Sequence, residues 1–132
     1  MHLAYDGSPY HGWQTQPNAH TVQQEIEEAL ARILRRPCPI MGSGRTDTGV
    51  HALEQVAHFD MEEEVEEALL RKKLNGILPP AIAIHAIREV QADAHARFDA
   101  LDRSYRYELR LRKDPFAPGA PGRFIKCLRW KK

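Results

Sequence analysis

The sequence is poor in cysteine, with two among 132 residues, and no apolar run approaches the roughly 20 residues that cross a membrane as a helix. Cys38 and Cys127 lie far apart and show no metal-type spacing, so they are expected to stay as free thiols. His2, His11, His20, His51, His58, His85 and His95 are scattered, without HExxH or any close pair, which argues against a metal centre. The start, MHLAYDG, lacks the basic-then-apolar layout of a secretion signal, and a cytoplasmic location is the expectation. No repeat or low-complexity tract stands out. What remains is a composition of 42% hydrophobic and 28% charged residues, enough for one domain with a core and no membrane partner.

The net charge of +1 conceals a division. Residues 1–102 carry 9 Lys and Arg against 16 Asp and Glu, whereas residues 103–132 carry 10 against two. A basic C-terminal quarter fits a polyanionic partner such as nucleic acid. A solvated strand followed by a frayed tail accounts for the same charges.

Periodicity lays out the elements. HLAY reads as a strand fragment, stopped by the turn formers Asp6-Gly7-Ser8-Pro9. Thr21 caps a helix whose apolar stripe is Val22, Ile26, Ala29, Leu30, Ile33 and Leu34, and Pro37 ends it. Strands are expected near Ile40-Met41 and from Gln55 to Asp60. The segment MEEEVEEALLRKKLNGILPP has acids early and bases late, favouring a second helix closed by Asn75-Gly76 and Pro79-Pro80. AIAIHAIREV reads as a strand. From Ser104 to Arg112, Tyr105, Tyr107, Leu109 and Leu111 alternate with Arg106, Glu108, Arg110 and Arg112, so one side should pack on a core. DPFAPGAPGRF reads as a linker, and IKCLRWKK is too short to classify. The order predicts an α+β, ferredoxin-like fold: a split βαβ antiparallel sheet with two helices on one face. The expected division is a domain over residues 1–116, followed by a linker or truncated segment over 117–132.

Between two of these strands lies SGRTDTGVHA, residues 43–52. It is neither a P-loop nor GxGxxG. An Asp among Gly, Ser and Thr residues commonly shapes an Asx-turn or caps a helix. Arg45, two residues away, would instead favour a negative Asp47 carboxylate, which can act as a nucleophile. Asp-Thr-Gly is also the signature of dimeric aspartic proteases, but Arg45-Thr46 precede it here and no apolar glycine-rich flap follows.

Four segments taken in order resemble the A-type tRNA pseudouridine synthases: YDGSPYHGWQTQP, TVQQEIEEAL, GSGRTDTGVHALEQVAHFD and HARFDALDRSYRYEL. The resemblance runs from Leu3 to Phe116. It implies isomerisation of uridine in the anticodon arm of tRNA, without metal or organic cofactor, by a protein that is usually a homodimer. It assigns Asp47 as the catalytic nucleophile. It places Arg45 to hold the acid and help extrude the target base, and Tyr105 to stack on the flipped uracil. Arg97, Arg103, Arg106, Arg110 and Lys113 are candidates for RNA phosphates, with solvent-facing structural roles as the alternative. The sequence departs from the family pattern at Thr48, where alanine is general, and the resemblance implies a second, similar domain, supplying a further basic residue, of which these residues would be the first half. The expectation is therefore a catalytic half, or an RNA-binding module without activity.

Overall fold

The structure, a computed structural model, describes residues 1–109, 111–112, 115–116 and 122–130. Arg110 and Lys113, named above as phosphate contacts, lie outside the described residues.

Chain order is β1 (His2–Tyr5), α1 (Val22–Leu34), β2 (Met41–Gly42), β3 (His51–His58), α2 (Glu67–Ile77), β4 (Ile82–Ala86), β5 (Ala100–Leu109) and β6 (Gly122–Trp130). The strands form one sheet in the order β4-β1-β3-β6-β5, with β2 also pairing to β3. β1 runs antiparallel to both β3 and β4, and β2 runs antiparallel to β3. Thus β1-α1-β2 straddles β3 while β3-α2-β4 straddles β1, the expected split βαβ plan.

Local chemistry explains the helices. Thr21 Oγ1 accepts from the Gln24 N–H at 3.3 Å, and Arg35 closes α1 in the left-handed region ahead of Pro37. The α1 residues Val22, Ile26, Ala29 and Leu30 are buried with Leu70 and Leu74 of α2. These pack on Leu3, Tyr5, Ile82 and Ile84 of the sheet in a single core, so both helices cover one face. The second helix starts at Glu67, after most of the acidic run, and buries Leu70 and Leu74 one turn apart. It also runs through Asn75-Gly76 to Ile77 before Pro79 stops it. Cys38 is buried and Cys127 exposed, and both are free thiols.

Two features differ from expectation. The segment read as a linker from residue 117 supplies β6, which forms a hairpin with β5 and a short parallel pairing with the start of β3 (His51 opposite Ile125, Ala52 opposite Lys126). The alternating strand is present as β5, yet Tyr105, Tyr107, Leu109 and Leu111 are all exposed rather than packed on a core. Alternation specifies a strand; it does not specify what covers it.

On the face away from the helices, residues 91–99 fold back onto β3. Ala96 is fully buried on Val56, and its N–H donates to His58 Nδ1 at 3.0 Å. The His58 ring meets His95 edge-on at 4.6 Å. Burial, then the His95 charge, lowers the His58 pKa from its ordinary 6.5. The unfolded chain therefore takes up this proton first as pH falls, so stability present above about 6.5 is lost on acidification through the folded value. His2, lowered chiefly by burial, adds in the same direction. The urea midpoint is expected to fall between pH 7.5 and pH 5.5, and to fall less in a His58→Asn chain. An equal fall in both chains would remove His58 from the effect.

Candidate active site

The loop 43–50 joins β2 to β3, and its residues divide sharply by exposure. Ser43 and Thr46 are buried, whereas Arg45, Asp47 and Thr48 are exposed. Backbone bonds fix the loop at both ends. The Ser43 N–H donates to Val56 O at 2.8 Å, and the Val50 N–H donates to Asp47 O at 3.1 Å. In the middle, Thr46 O accepts from the Trp13 N–H at 3.1 Å, and the Thr46 hydroxyl lies 2.8 Å from that of Tyr5. Burial pushes the Tyr5 phenol up to about 12, opposed by the Thr46 hydrogen bond and reinforced by the nearby Tyr105 phenol. Tyr5 therefore stays a neutral anchor beneath the residue next to Asp47.

The segment after β1 lies backbone to backbone against this loop. A Cβ added at Gly7 would sit 2.0 Å from Val50 O, and one at Gly12 would sit 2.4 Å from Thr46 O. The Gly49 N–H donates to Tyr10 O at 3.3 Å, and the Gly7 N–H points at His51 Nδ1, which is also 2.9 Å from Asp6 Oδ1. The turn residues of YDGSPYHGW are thus the seat of the Asp47 loop.

No hydrogen bond or ion pair engages the side chains of Asp47 or Arg45 among the described residues. The expected grip of Arg45 on the acid is not formed: both side chains stand in solvent, where such a pair gains little. Asp47 makes no Asx-turn either, so its carboxylate is open to an incoming group.

Register places the expected aromatic. The loop enters β3 at His51; Ala52 lies opposite Lys126 of β6, and Lys126 lies opposite Tyr105 of β5. Two strand spacings put Tyr105 about 10 Å across the sheet from Ala52. Tyr105 is 58% exposed. Of the candidate phosphate contacts, Arg97 is exposed and Arg106 pairs with Glu108 at 3.0 Å on the solvent side. Arg103 is committed elsewhere: its guanidinium donates to Ser43 O at 2.6 and 3.1 Å and to Arg97 O at 3.1 Å. It therefore serves the loop, because the Ser43 and Arg97 carbonyls lie within its reach.

Two residues beneath the loop escaped the sequence reading. Gln55 and Lys126 are both fully buried, and the Lys126 ammonium donates to Gln55 Oε1 at 2.9 Å. Burial, then the Arg103 charge, lowers the Lys126 pKa to about 8. Gln55 carried a weak signal, a polar side chain in a strand with apolar Leu53 and Ala57 two positions to either side. Lys126 carried none, being one base in a basic tail.

An open carboxylate on a pinned loop, with an exposed aromatic ring on the adjoining strands, suits an enzyme acting on a base lifted from its stack. A family model described as tRNA pseudouridine synthase matches residues 1–99. The tRNA pseudouridine synthase A of Porphyromonas gingivalis is 53% identical over 121 residues, covering 90% of this chain and 48% of that protein. The proteins of the same name from Parabacteroides distasonis and Bacteroides thetaiotaomicron are 53% and 50% identical, each over 88% of this chain and over 46% and 43% of their own lengths. The chain belongs to the tRNA pseudouridine synthase family. It spans about half the length of the curated relatives it matches. Membership sets aside the aspartic protease reading of Asp-Thr-Gly.

Proposed function

We propose that this chain is the nucleophile-bearing half of an enzyme that converts uridine in tRNA to pseudouridine. The observation that carries the reading is the exposed Asp47 carboxylate, without a side-chain partner among the described residues, on a loop whose flanking residues are buried and bonded. The reaction is an isomerisation. The bond from the sugar C1′ to uracil N1 breaks, a bond from C1′ to C5 forms, C5 gives up a proton and N1 gains one. A carboxylate that attacks and later departs allows the ring to detach and turn, and nothing is consumed. Reaching it requires everting the nucleotide, at a cost of a few kcal/mol, of which stacking on Tyr105 would recover about 1–3 kcal/mol.

Arg45, exposed beside Asp47, is then free to occupy the space the base leaves. Exposure of Arg97 and Arg106 supports the reading of these two as phosphate contacts. The anticodon arm as the target and a homodimer as the working unit rest on the motif resemblance alone, and the cytoplasm is part of the same proposal as its location. Incubating a protein of full family length that carries this chain with a tRNA transcript, and quantifying pseudouridine by nucleoside mass spectrometry, tests the reading. Product is the expected result; salt-dependent tRNA binding without product would replace it by an RNA-binding module.

A further inference from the structure

Three strands send polar side chains to one point beneath the Asp47 loop. Gln55, from β3, uses both ends of its amide: Oε1 accepts from Ser43 Oγ at 2.7 Å and from Lys126 Nζ at 2.9 Å, while Nε2 donates to Gly44 O at 2.7 Å. Arg103, from β5, closes on Ser43 O. The fit is close, since a Cβ at Gly44 would lie 2.9 Å from Lys126 Nζ and 3.1 Å from Arg103 Nε.

A cluster whose Ser43, Gln55 and Lys126 are buried, with Arg103 at its exposed edge, is a poor way to gain stability, because apolar side chains of similar volume would avoid its desolvation cost. What it provides is direction. Gln55 is satisfied at three positions, and two of its three bonds end on Ser43 and Gly44, immediately before Arg45. An apolar replacement could fill the space but could not hold a carbonyl at a fixed place.

We propose that Gln55 is a positioning residue, tethering Ser43 and Gly44 so that Asp47 is presented at a fixed height above the sheet. Lys126 orients the tether by holding its oxygen end, which leaves the amide nitrogen aimed at Gly44. Gln55 touches no reacting atom. The proposal rests on the isomerase reading for its purpose, though not for its geometry.

Amide hydrogen exchange on the 132-residue chain tests the geometry without RNA. In Gln55→Met the Trp13 and Val50 amides, which bond to Thr46 O and Asp47 O, are expected to exchange at least about tenfold faster, with the β1–β4 ladder unchanged. Gln55→Glu keeps an acceptor for Lys126 and Ser43 but has no donor for Gly44 O, and it should loosen the same amides. Acceleration spread evenly over the sheet would show a merely structural role and overturn the proposal, as would no acceleration in either variant. In tRNA turnover, Gln55→Met should lower kcat about 10²-fold with KM within about twofold, as misplacement of a reacting group does. An unchanged kcat would overturn it too. If the unsubstituted protein forms no pseudouridine, the isomerase reading fails, and the exchange data still decide the tether.

Discussion

Replacing Asp47 with asparagine is expected to reduce pseudouridine formation by about 10⁴-fold or more, the scale seen when a reacting group is removed from an active site. The amide keeps the shape of the carboxylate but is a far weaker nucleophile, so no partial activity should survive through packing. The same substitution should leave stability within about 0.5 kcal/mol, because an exposed side chain without bonds contributes little to folding. Single-turnover assays and urea melts on the same preparation separate the two effects. Lost activity with an unmoved melt identifies a chemical role. A melt shifted by several kcal/mol would return Asp47 to the turn-shaping role that its Gly, Ser and Thr neighbours also allowed, and undiminished product would remove it from the chemistry altogether.

The comparison of sequence and structure turns on which interactions are local. The first helix was legible from Thr21 to Pro37 because capping, apolar spacing and the stop are all encoded within a few residues. The arrangement of β1 to β4 followed from alternating elements and the preference for split βαβ packing, whereas the place of β6 between β3 and β5 did not. The hairpin of β5 and β6 was half legible. β5 alternates, whereas β6 buries Lys126 beside Ile125 and turns that lysine to Gln55, and a buried base in a basic segment does not read as an inward position. The environment of Asp47 was the least legible part. That Asp47 stands open, that Arg103 turns to Ser43 O and that Gln55 meets Lys126 are all contacts between residues 40 or more positions apart, or between side chains whose direction no pattern fixes. Polar clusters of this kind appear in a sequence only as residues that spoil a pattern.

Gly12 illustrates the same point with a stability effect. As a sequence feature it is one of several small residues in a polar loop; in the structure it has φ of 81° and leaves its Cα against Thr46 O. In Gly12→Ala the methyl group would sit 2.4 Å from that oxygen, which is backbone and cannot swing aside. Holding alanine in the left-handed region costs about 1–2 kcal/mol, and forcing the two segments apart adds about 1–3 kcal/mol. The Thr46 carbonyl would also be pushed off the Trp13 N–H, so the loss should concentrate next to Asp47 and depress turnover beyond what unfolding explains. Gly76→Ala is the control: it lies inside α2, no atom stands within 4 Å of its added Cβ, and it should stabilise by about 0.5–1 kcal/mol. Urea melts should therefore move in opposite directions for two chemically identical substitutions. If Gly12→Ala melts like the unsubstituted chain, then the loop of residues 6–13 does not press on Thr46, and the seat described for the Asp47 loop is lost with it.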